Sequence, residues 1–318
     1  MLAWNSSFGG SKCGMVALEG LGVSSPLPLK SRLRTLIVDT PVRHFAAAVH
    51  ARLTQLELLA AQRADFFRVA APAIDAARLS QVTAIVKTFE RPSELARLLE
   101  SVQRLFPRLK TIVADDSRAP VRHLGAETLI LPFDVGVSAG RQAALDRVRT
   151  KYTWVLDDDF VLYARTRLDI VLELLDQYEI IDLIGGPVVD IPLMIKRTAE
   201  RSPIYPTSAT PVVPTGTFIG AAQVRDKVPN FFVARTESLR KVGWNSGLKR
   251  LDHADFFTRA RGVLVTTYLD GFRCLHAPTP FNRSYMAQRT DLDGDSTLLH
   301  ELYFGARKGS PKIKKATK

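Results

Sequence analysis

Residues 82–89 and 151–160 read VTAIVKTF and KYTWVLDDDF, and these two stretches are the strongest indication of the fold. Each contains a short run of apolar, β-branched or aromatic residues, which is typical of a strand buried on both faces. Pro92 and Ser93 follow the first run and precede ELARLLESVQRLF, whose leucine spacing predicts a helix. A buried strand followed by an amphipathic helix is the repeating unit of a parallel sheet.

The same alternation continues outward from these stretches. Further strands are predicted in LKTIVADDS, TLILP, IDLIGG, NFFVART and VLVTTYL, and further helices in RQAALDRVR, TRLDIVLELLDQY, ESLRKVG and LDHADFFTRARG. The order predicts an α/β fold with a mostly parallel central sheet flanked by helices. Apolar residues at helical spacing in residues 42–79, interrupted mainly by Pro72, predict one or two further helices. We expect these to pack on the sheet domain, with a membrane-surface or dimerisation role as the alternative.

Composition divides the chain into segments. We expect residues 1–41, whose first thirty are rich in Gly, Ser and Pro, to be poorly ordered, and residues 42–80 to form a helical extension. Residues 81–280 form the α/β domain. Within it, residues 187–228 contain several prolines and many Ser and Thr, which predicts an insertion. Residues 281–318 are predicted to be a basic tail.

The net charge of +12 favours partners that carry phosphate, namely nucleotides, lipids, acidic membranes or nucleic acid. The tail could contact a membrane through Arg307, Lys308, Lys312, Lys314, Lys315 and Lys318. Two cysteines do not suggest a disulfide framework. The sequence shows neither a secretory signal pattern nor an apolar run long enough to span a bilayer. We therefore expect a protein of the cytoplasm or of the cytoplasmic membrane surface.

Polar residues follow three predicted strands at the point where each strand ends. Thr88 and Arg91 follow the first strand, Asp115 and Asp116 the second, and Asp157–Asp159 the fourth. Ligands of such sheets bind outside the carboxyl ends of the strands. The three groups are therefore expected to form one site.

The aspartate triplet has the chemistry of a metal clamp. Carboxylates at the end of a rigid strand can hold a divalent cation that bridges two phosphates. Strand alternation places Asp157 and Asp159 on one face as metal ligands, with Asp158 opposite or at the bend, where it would contact the nucleotide. The alternative is an acidic loop or helix cap.

The other acids suggest nucleotide contacts. Asp115 or Asp116 could accept a hydrogen bond from a base imide or a ribose hydroxyl, and a turn before Ser117 is the alternative. Gly136 opens a Gly-x-x-x-Gly stretch whose backbone could approach a nucleotide, and Arg141 could pair with phosphate. This glycine spacing is weak as a motif.

LDHADFF and GFRCLHAP contain the remaining candidates. Transfer to a hydroxyl needs a general base, and we expect Asp255 in that role. Asp252 could instead cap the helix, and His253 is an orienting or a surface residue. His276 could complete an oxygen-rich site, more naturally for Mn²⁺ than for Mg²⁺, or could be structural.

The order of these motifs resembles the inverting GT-A glycosyltransferases of the family-2 type. Within them it is most similar to the β-1,4-N-acetylgalactosaminyltransferase group that includes GM2/GD2 synthase. The resemblance covers about Val82 to Pro278 and rests on VTAIVKTFERPSELARLLESV, KTIVADDS, GVSAGRQAAL, KYTWVLDDDF, NFFVARTESLRKVGW and LDHADFF. It implies a GT-A fold and a UDP-sugar donor, with UDP-GalNAc nearest and UDP-GlcNAc or UDP-galactose as alternatives. The acceptor is expected to be a glycan or glycolipid hydroxyl, bordered by the 187–228 insertion.

The resemblance also implies roles for single residues. Asp157–Asp159 match metal- and UDP-binding aspartates, and Asp115 and Asp116 match acids near the uridine. Asp255 matches the base position, although this chain has Asp where Glu is expected, which shortens the reach. His276 matches a late metal-binding histidine only through its place after the last strand. The expected cofactor is Mn²⁺ or Mg²⁺.

The sequence departs from the animal enzymes because it has neither their amino-terminal anchor nor their many cysteines. That favours a microbial enzyme of surface glycans over a ganglioside synthase. The sequence disfavours two other functions. A sugar-nucleotide-forming nucleotidyltransferase would have a glycine-rich loop after the first strand, whereas KTFERPSE contains no glycine. A nucleic-acid-binding protein is not favoured, because the basic residues are scattered and form no binding motif.

Overall fold

The computed structural model describes residues 42–67, 74–198 and 203–305. Pro72, residues 1–41 and residues 306–318 of the basic tail lie outside the described residues. The helices are α1 (Val42–Phe67), α2 (Ala76–Leu79), α3 (Pro92–Leu105), α4 (Val137–Arg147), α5 (Leu168–Gln177), α6 (Thr236–Val242), α7 (Asp252–Ala260), α8 (Arg283–Arg289) and α9 (Asp293–Phe304). The strands are β1 (Val82–Thr88), β2 (Lys110–Asp115), β3 (Glu127–Ile130), β4 (Tyr152–Asp157), β5 (Phe160–Val161), β6 (Leu183–Gly185), β7 (Val188–Asp190), β8 (Ile195–Arg197), β9 (Phe218–Ile219), β10 (Ala222–Val224), β11 (Phe232–Arg235), β12 (Thr266–Tyr268) and β13 (Cys274–His276).

The central sheet has nine strands in the order β3-β2-β1-β4-β11-β6-β12-β10-β9. The first four are mutually parallel, β11 runs antiparallel to both β4 and β6, and β12 is parallel to β6. The pairing register places Thr88 opposite Asp115 and Lys87 opposite Asp157. The ends of β1, β2 and β4 therefore meet at one edge, as the sequence predicts, in a mostly parallel α/β sheet.

β4 is an interior strand of this sheet, between β1 and β11, and is anchored by aromatic packing. The ring of Trp154, which is fully buried, lies 5.5 Å from Phe106, 6.0 Å from Phe231 and 5.8 Å from Phe272. These rings join a core that fills one face of the sheet. Burying large aromatic side chains is worth several kcal/mol each, roughly 3–5 on truncation to alanine. The residues that follow β4 are thus fixed by a rigid element.

A second, four-stranded sheet has the order β5-β13-β7-β8. In it, His276 of β13 lies opposite Phe160 of β5 and Asp190 of β7. Because only two residues separate the end of β4 from the start of β5, this small sheet carries its side chains to the same edge as the aspartates.

Three expectations about segments need correction. Residues 187–228 contain more regular structure than the sequence predicts, namely β7, β8, β9 and β10. The short apolar run that ends at Asp190 is a strand, which the proline content of the segment obscures. Residues 281–318 begin with α8 and α9, so the tail prediction was wrong for 283–304. The Gly136–Gly140 stretch is the first turn of α4.

Residues 42–79 form α1 and α2, as the spacing predicts. One side of α1 packs on the small sheet, where Leu58 and Ala61 contact a cluster of buried residues. The cluster consists of Val161, Val189, Ile191, Leu275 and Ala277. Within the described part of the chain, no helix combines the length and the apolar character that crossing a bilayer demands.

Candidate active site

Two of the three consecutive aspartates share one arginine. Arg91, only 6% exposed, donates from Nη1 to Asp159 Oδ2 at 2.7 Å and from Nε to Asp158 Oδ2 at 3.2 Å. Thr88 Oγ1 donates to the same Asp158 oxygen at 2.8 Å. Strand alternation predicts Asp157 and Asp159 on one face. The structure differs because the strand ends at Asp157 and a turn follows.

The environment sets different proton affinities for these two carboxyls. Burial is the largest influence on both and favours the neutral form. For Asp158, burial exceeds the attraction of Arg91 and raises the pKa to about 6. For Asp159, burial is outweighed by Arg91 and His276, which hold the pKa well below its usual range. Asp159 is therefore the more persistent anion of the pair.

The remaining member, Asp157, belongs to a second charged group. Arg141 is buried and pairs with both Asp157 and Asp252. The side chain of Asp157 is 32% exposed, which makes it the most accessible carboxylate of the triplet. Burial raises the pKa of Asp252, although Arg141 opposes the shift.

His276 joins the triplet from the small sheet. Its Nε2 lies 3.1 Å from Asp159 Oδ2, and its Nδ1 lies 2.6 Å from Asp190 Oδ1. Arg197 donates to the other oxygen of Asp190 at 2.6 Å from Nε. A carboxylate behind an imidazole fixes the ring orientation and raises its basicity. Asp190 was not predicted from the sequence, although it ends a short apolar run, as Asp115 and Asp157 do.

Asp159 and His276 present donor atoms of the kinds that a divalent ion binds. Among the described residues, no three His, Cys, Asp or Glu side chains form a ready-made metal cluster. Asp159 Oδ2 and His276 Nε2, however, are 3.1 Å apart. Two ligands at about 2.1 Å on adjacent octahedral positions lie about 3 Å apart. The pair therefore fits two positions of an ion that takes its other ligands from phosphate and water.

The charge of His276 makes the stability of this group depend on pH. Burial acts to lower the pKa of His276, but Asp159 and Asp190 outweigh it and raise the pKa to about 9. A raised folded-state pKa gives stability that is complete below the unfolded value of 6.5 and lost as pH rises through 9.

We predict that this contribution disappears when His276 is replaced. With a chelator present, the wild type should have a higher free energy of unfolding than His276→Gln. This difference should be roughly 3 kcal/mol larger at pH 6 than at pH 9.5. Urea unfolding of both proteins across this range measures the difference, and groups common to both cancel. A difference that does not vary with pH would show that the imidazole is not charged in this ion-pair network.

Asp115 and Asp116 lie at the same edge but are engaged within the protein. Asp115 accepts the backbone N–H of Ser117 at 2.9 Å. Asp116 pairs with Lys87 and accepts the N–H of Gly136 at 3.0 Å. Gly136 is needed here because its φ is +100° and a side chain would collide with the backbone of Lys249. The structure thus gives this glycine a fold role in addition to any contact with a nucleotide.

Aromatic residues that the sequence reasoning did not select surround this end of the site. The rings of Phe89 and Phe133 are 5.6 Å apart, and Phe133 is 45% exposed. Arg118 lies 4.3 Å from the ring centre of Phe133. On the other side, Tyr285 of α8 stacks on Arg91 at 4.1 Å. None of these aromatics carries a local motif, because they meet only through the fold.

The predicted base, Asp255, lies in a different environment. It is buried, Arg259 donates to its Oδ2 at 2.9 Å from Nε, and Tyr303 donates to its Oδ1 at 2.7 Å. Asp252, one turn earlier on α7, is the carboxylate that joins the triplet through Arg141. His253 is bound to the carbonyl of Val228 at 2.7 Å. Thus Asp252 is linked to the aspartate triplet through Arg141, whereas Asp255 is bound by Arg259 and Tyr303.

The sequence matches known proteins over this same region. The profile described as glycosyl transferase family 2 matches residues 83–243, just over half of the chain. Mouse β-1,4 N-acetylgalactosaminyltransferase 2 is 35% identical over 190 residues, which cover 58% of this chain and 37% of that protein. Human β-1,4 N-acetylgalactosaminyltransferase 1 is 36% identical over 194 residues, covering 58% and 36%.

Solved structures are also similar at low identity. S. aureus TarS 1-349 in complex with UDP-GlcNAc aligns with a TM-score of 0.47 and 16% identity, covering 62% of this chain and 58% of that one. The chain spans little more than a third of the length of the curated relatives it matches. The profile match includes β1, β2, β4 and the aspartate triplet that together form the described edge. This chain therefore belongs to glycosyl transferase family 2.

Proposed function

We propose that the chain transfers a sugar from a UDP-sugar to a hydroxyl of a glycan or glycolipid, with inversion at the anomeric carbon. One observation supports the proposal most strongly: carboxylates from β2, β4, β7 and α7 lie together at one sheet edge. Such an edge can bind a nucleotide diphosphate through a cation and offer a carboxylate to the acceptor.

The nucleoside is proposed to lie at the β1–β2 side of the edge. Asp115 and Asp116 are there, and Phe133 offers apolar surface beside them. Both acids accept backbone N–H groups. Their remaining lone pairs would accept hydrogen bonds from a base or a ribose. Thr88 and Arg91 separate this region from the phosphate region and hold the aspartate triplet in place.

The diphosphate is proposed to lie between Asp157, Asp159 and His276. Glycosyltransferases of this fold typically use a divalent metal ion. Asp159 and His276 would hold it, with Asp157 as the accessible third carboxylate, and Mn²⁺ suits the mixed oxygen and imidazole set. When bound, the ion offsets the charge that develops on the leaving diphosphate. Arg141 keeps Asp157 at the edge while compensating its charge.

The general base is proposed to be Asp252. It is buried, its pKa is raised by burial, and Arg141 links it to Asp157. A raised pKa makes a carboxylate a stronger base. The family resemblance assigned this role to Asp255, whose oxygens are occupied by Arg259 and Tyr303. Asp255 is better suited to hold α7 against α9.

The donor sugar is proposed to be GalNAc, since the curated relatives are named N-acetylgalactosaminyltransferases. A panel of UDP-GalNAc, UDP-GlcNAc and UDP-galactose tests this by UDP release, with and without Mn²⁺. We expect UDP-GalNAc to turn over at least about tenfold faster than the others, because a few polar contacts set such preferences. Equal turnover of all three would contradict the assignment of the sugar.

The same assay tests the metal site. Asp159→Ala should lower Mn²⁺-stimulated UDP release by about tenfold or more, since one ligand of the ion is lost. Asp169→Ala is the matched control, because Asp169 pairs with Arg167 and is not among the residues proposed to hold the ion. Stimulation by Mn²⁺ that is as large in Asp159→Ala as in Asp169→Ala would rule out Asp159 as a ligand.

A further inference from the structure

The long helix α1 has two different faces. Thr54, Leu58 and Ala61 lie on the inward face, and Thr54 is only 8% exposed. The outward face carries large apolar side chains with high exposed fractions: Phe45 73%, Val49 40%, Leu53 45%, Leu56 61% and Leu59 44%.

The outward apolar residues form one continuous stripe. They are separated by four, four, three and three residues, which is the spacing of one helix face. Single exposed apolar residues are normal on a protein surface, but a contiguous row of five marks an interaction surface. The described residues place nothing over this stripe, as the exposed fractions show.

The charges on the same face indicate the partner. Arg52 lies three residues after Val49 and four before Leu56, and Arg63 lies four after Leu59, so both arginines fall on the stripe and both are exposed. Glu57 lies on the inward half and is partly buried. A second copy of the chain packed stripe to stripe would have to bury four guanidinium groups without acids from this stripe. Anionic lipid headgroups would instead pair with them while the apolar side chains enter the interface.

We propose that this face of α1 binds the surface of a bilayer that contains anionic lipids. The net charge of +12 acts in the same direction, because it attracts the whole chain to a negative surface. The helix lies in the interface and does not cross it, in keeping with its mixed composition.

The location of α1 relates this surface to the site. The inward face of α1 packs on the sheet that carries Asp190 and His276. His50 of α1 contacts the ring of Phe281 at 5.7 Å, just before α8, whose Tyr285 stacks on Arg91. A bilayer held by α1 would thus lie beside the donor site. If the proposed sugar transfer holds, on which this step rests, the acceptor is a lipid-linked glycan rather than a free one.

Vesicle flotation tests the proposal without any donor or acceptor. The full chain is mixed with phosphatidylcholine vesicles with and without phosphatidylglycerol. We expect the wild type to float with the anionic vesicles only, and the double variant Phe45→Ser, Leu56→Ser to partition about tenfold less strongly, because two large apolar contacts are lost. The matched control, Leu124→Ser with Phe218→Ser, removes two apolar side chains that are 95% and 66% exposed elsewhere.

Two charge-reversal variants complete the experiment. Arg52→Glu should weaken flotation by roughly fivefold to tenfold or more, whereas Arg108→Glu, the same change at an exposed position in the turn between α3 and β2, should have a much smaller effect. Circular dichroism checks that each variant is folded, which is expected because the altered side chains are exposed. Equal flotation of the wild type and the Phe45, Leu56 double variant would overturn the proposal.

Two further results would also overturn it. One is absence of wild-type binding to anionic vesicles. The other is a dimer in light scattering that the Phe45, Leu56 double variant converts to a monomer, since the stripe would then bind a second copy. Because flotation is read without sugar transfer, a failure of the proposed reaction leaves this result unaffected.

Discussion

Replacement of Asp252 by Asn is expected to lower kcat for sugar transfer by about 10²–10⁴-fold, the range lost when a general base is removed. The carboxylate is buried, its pKa is raised, and it is joined through Arg141 to Asp157 at the sheet edge. Asparagine keeps the shape and one oxygen for Arg141 but cannot accept the acceptor's proton. UDP release with the best donor and acceptor measures the loss.

The control is the same substitution one turn later. Asp255→Asn should retain transfer within roughly tenfold but lower the free energy of unfolding by about 1–3 kcal/mol, because Arg259 and Tyr303 lose a charged partner. Titration calorimetry with UDP separates catalysis from site assembly: Asp252→Asn should bind UDP within about threefold of the wild type. If Asp255→Asn loses transfer while folded and Asp252→Asn keeps it, Asp255 is the base after all.

Replacement of Arg91 by Met is expected to lower the free energy of unfolding by about 3–5 kcal/mol near neutral pH, the usual effect of leaving buried charges unpaired. Arg91 contacts both Asp158 and Asp159, and all three side chains are buried. Urea unfolding measures the loss. The loss should become smaller as pH falls to about 5. Without Arg91, the pKa values of Asp158 and Asp159 in the folded variant rise, so their protonation then stabilises the folded variant.

A surface arginine provides the comparison for Arg91. Arg147 pairs with Glu127 at 2.9 Å, but the side chains are 59% and 48% exposed. Solvent screens such a pair, so Arg147→Met should change the free energy of unfolding by no more than about 1 kcal/mol. Equal losses in the two variants would mean that Arg91 does not compensate the aspartates.

The sequence was sufficient for the strands that carry the site. Buried strands in parallel sheets are continuous apolar runs, and β1, β2 and β4 each show one that ends in polar residues. The meeting of Asp115 and Asp157 at one edge follows from parallel pairing alone, and the register confirms it. The helices α3, α5 and α7 were similarly clear, because each has a periodic apolar face.

The ion pairs within the site could not be predicted. Arg91 reaches Asp158 across 67 positions of the chain, and Arg141 reaches Asp252 across 111. No local pattern encodes a contact of that range. The different partners of Asp252 and Asp255 could not be predicted for the same reason, since Arg141 and Tyr303 lie far from them in the sequence.

Short elements were the other weak point. β7 has three residues and β13 has three, too few to show a period. Asp190 was therefore hidden within a proline-rich stretch, and the role of His276 stayed open between structural and ligating. The helix α8 was missed because its residues are mostly polar and it begins inside a segment dominated by its basic end.

The interior position of β4 has a consequence for the lifetime of the site. β4 is hydrogen-bonded to β1 on one side and to β11 on the other, and its interior side chains are fully enclosed. Amide hydrogens in such a strand exchange with solvent only through global unfolding, whereas edge strands open locally at much lower free energy. Asp157 is thus attached to the segment that opens last. The aspartates remain assembled through every partial opening of β9, β10 or α1, and the donor site persists as long as the molecule itself stays folded.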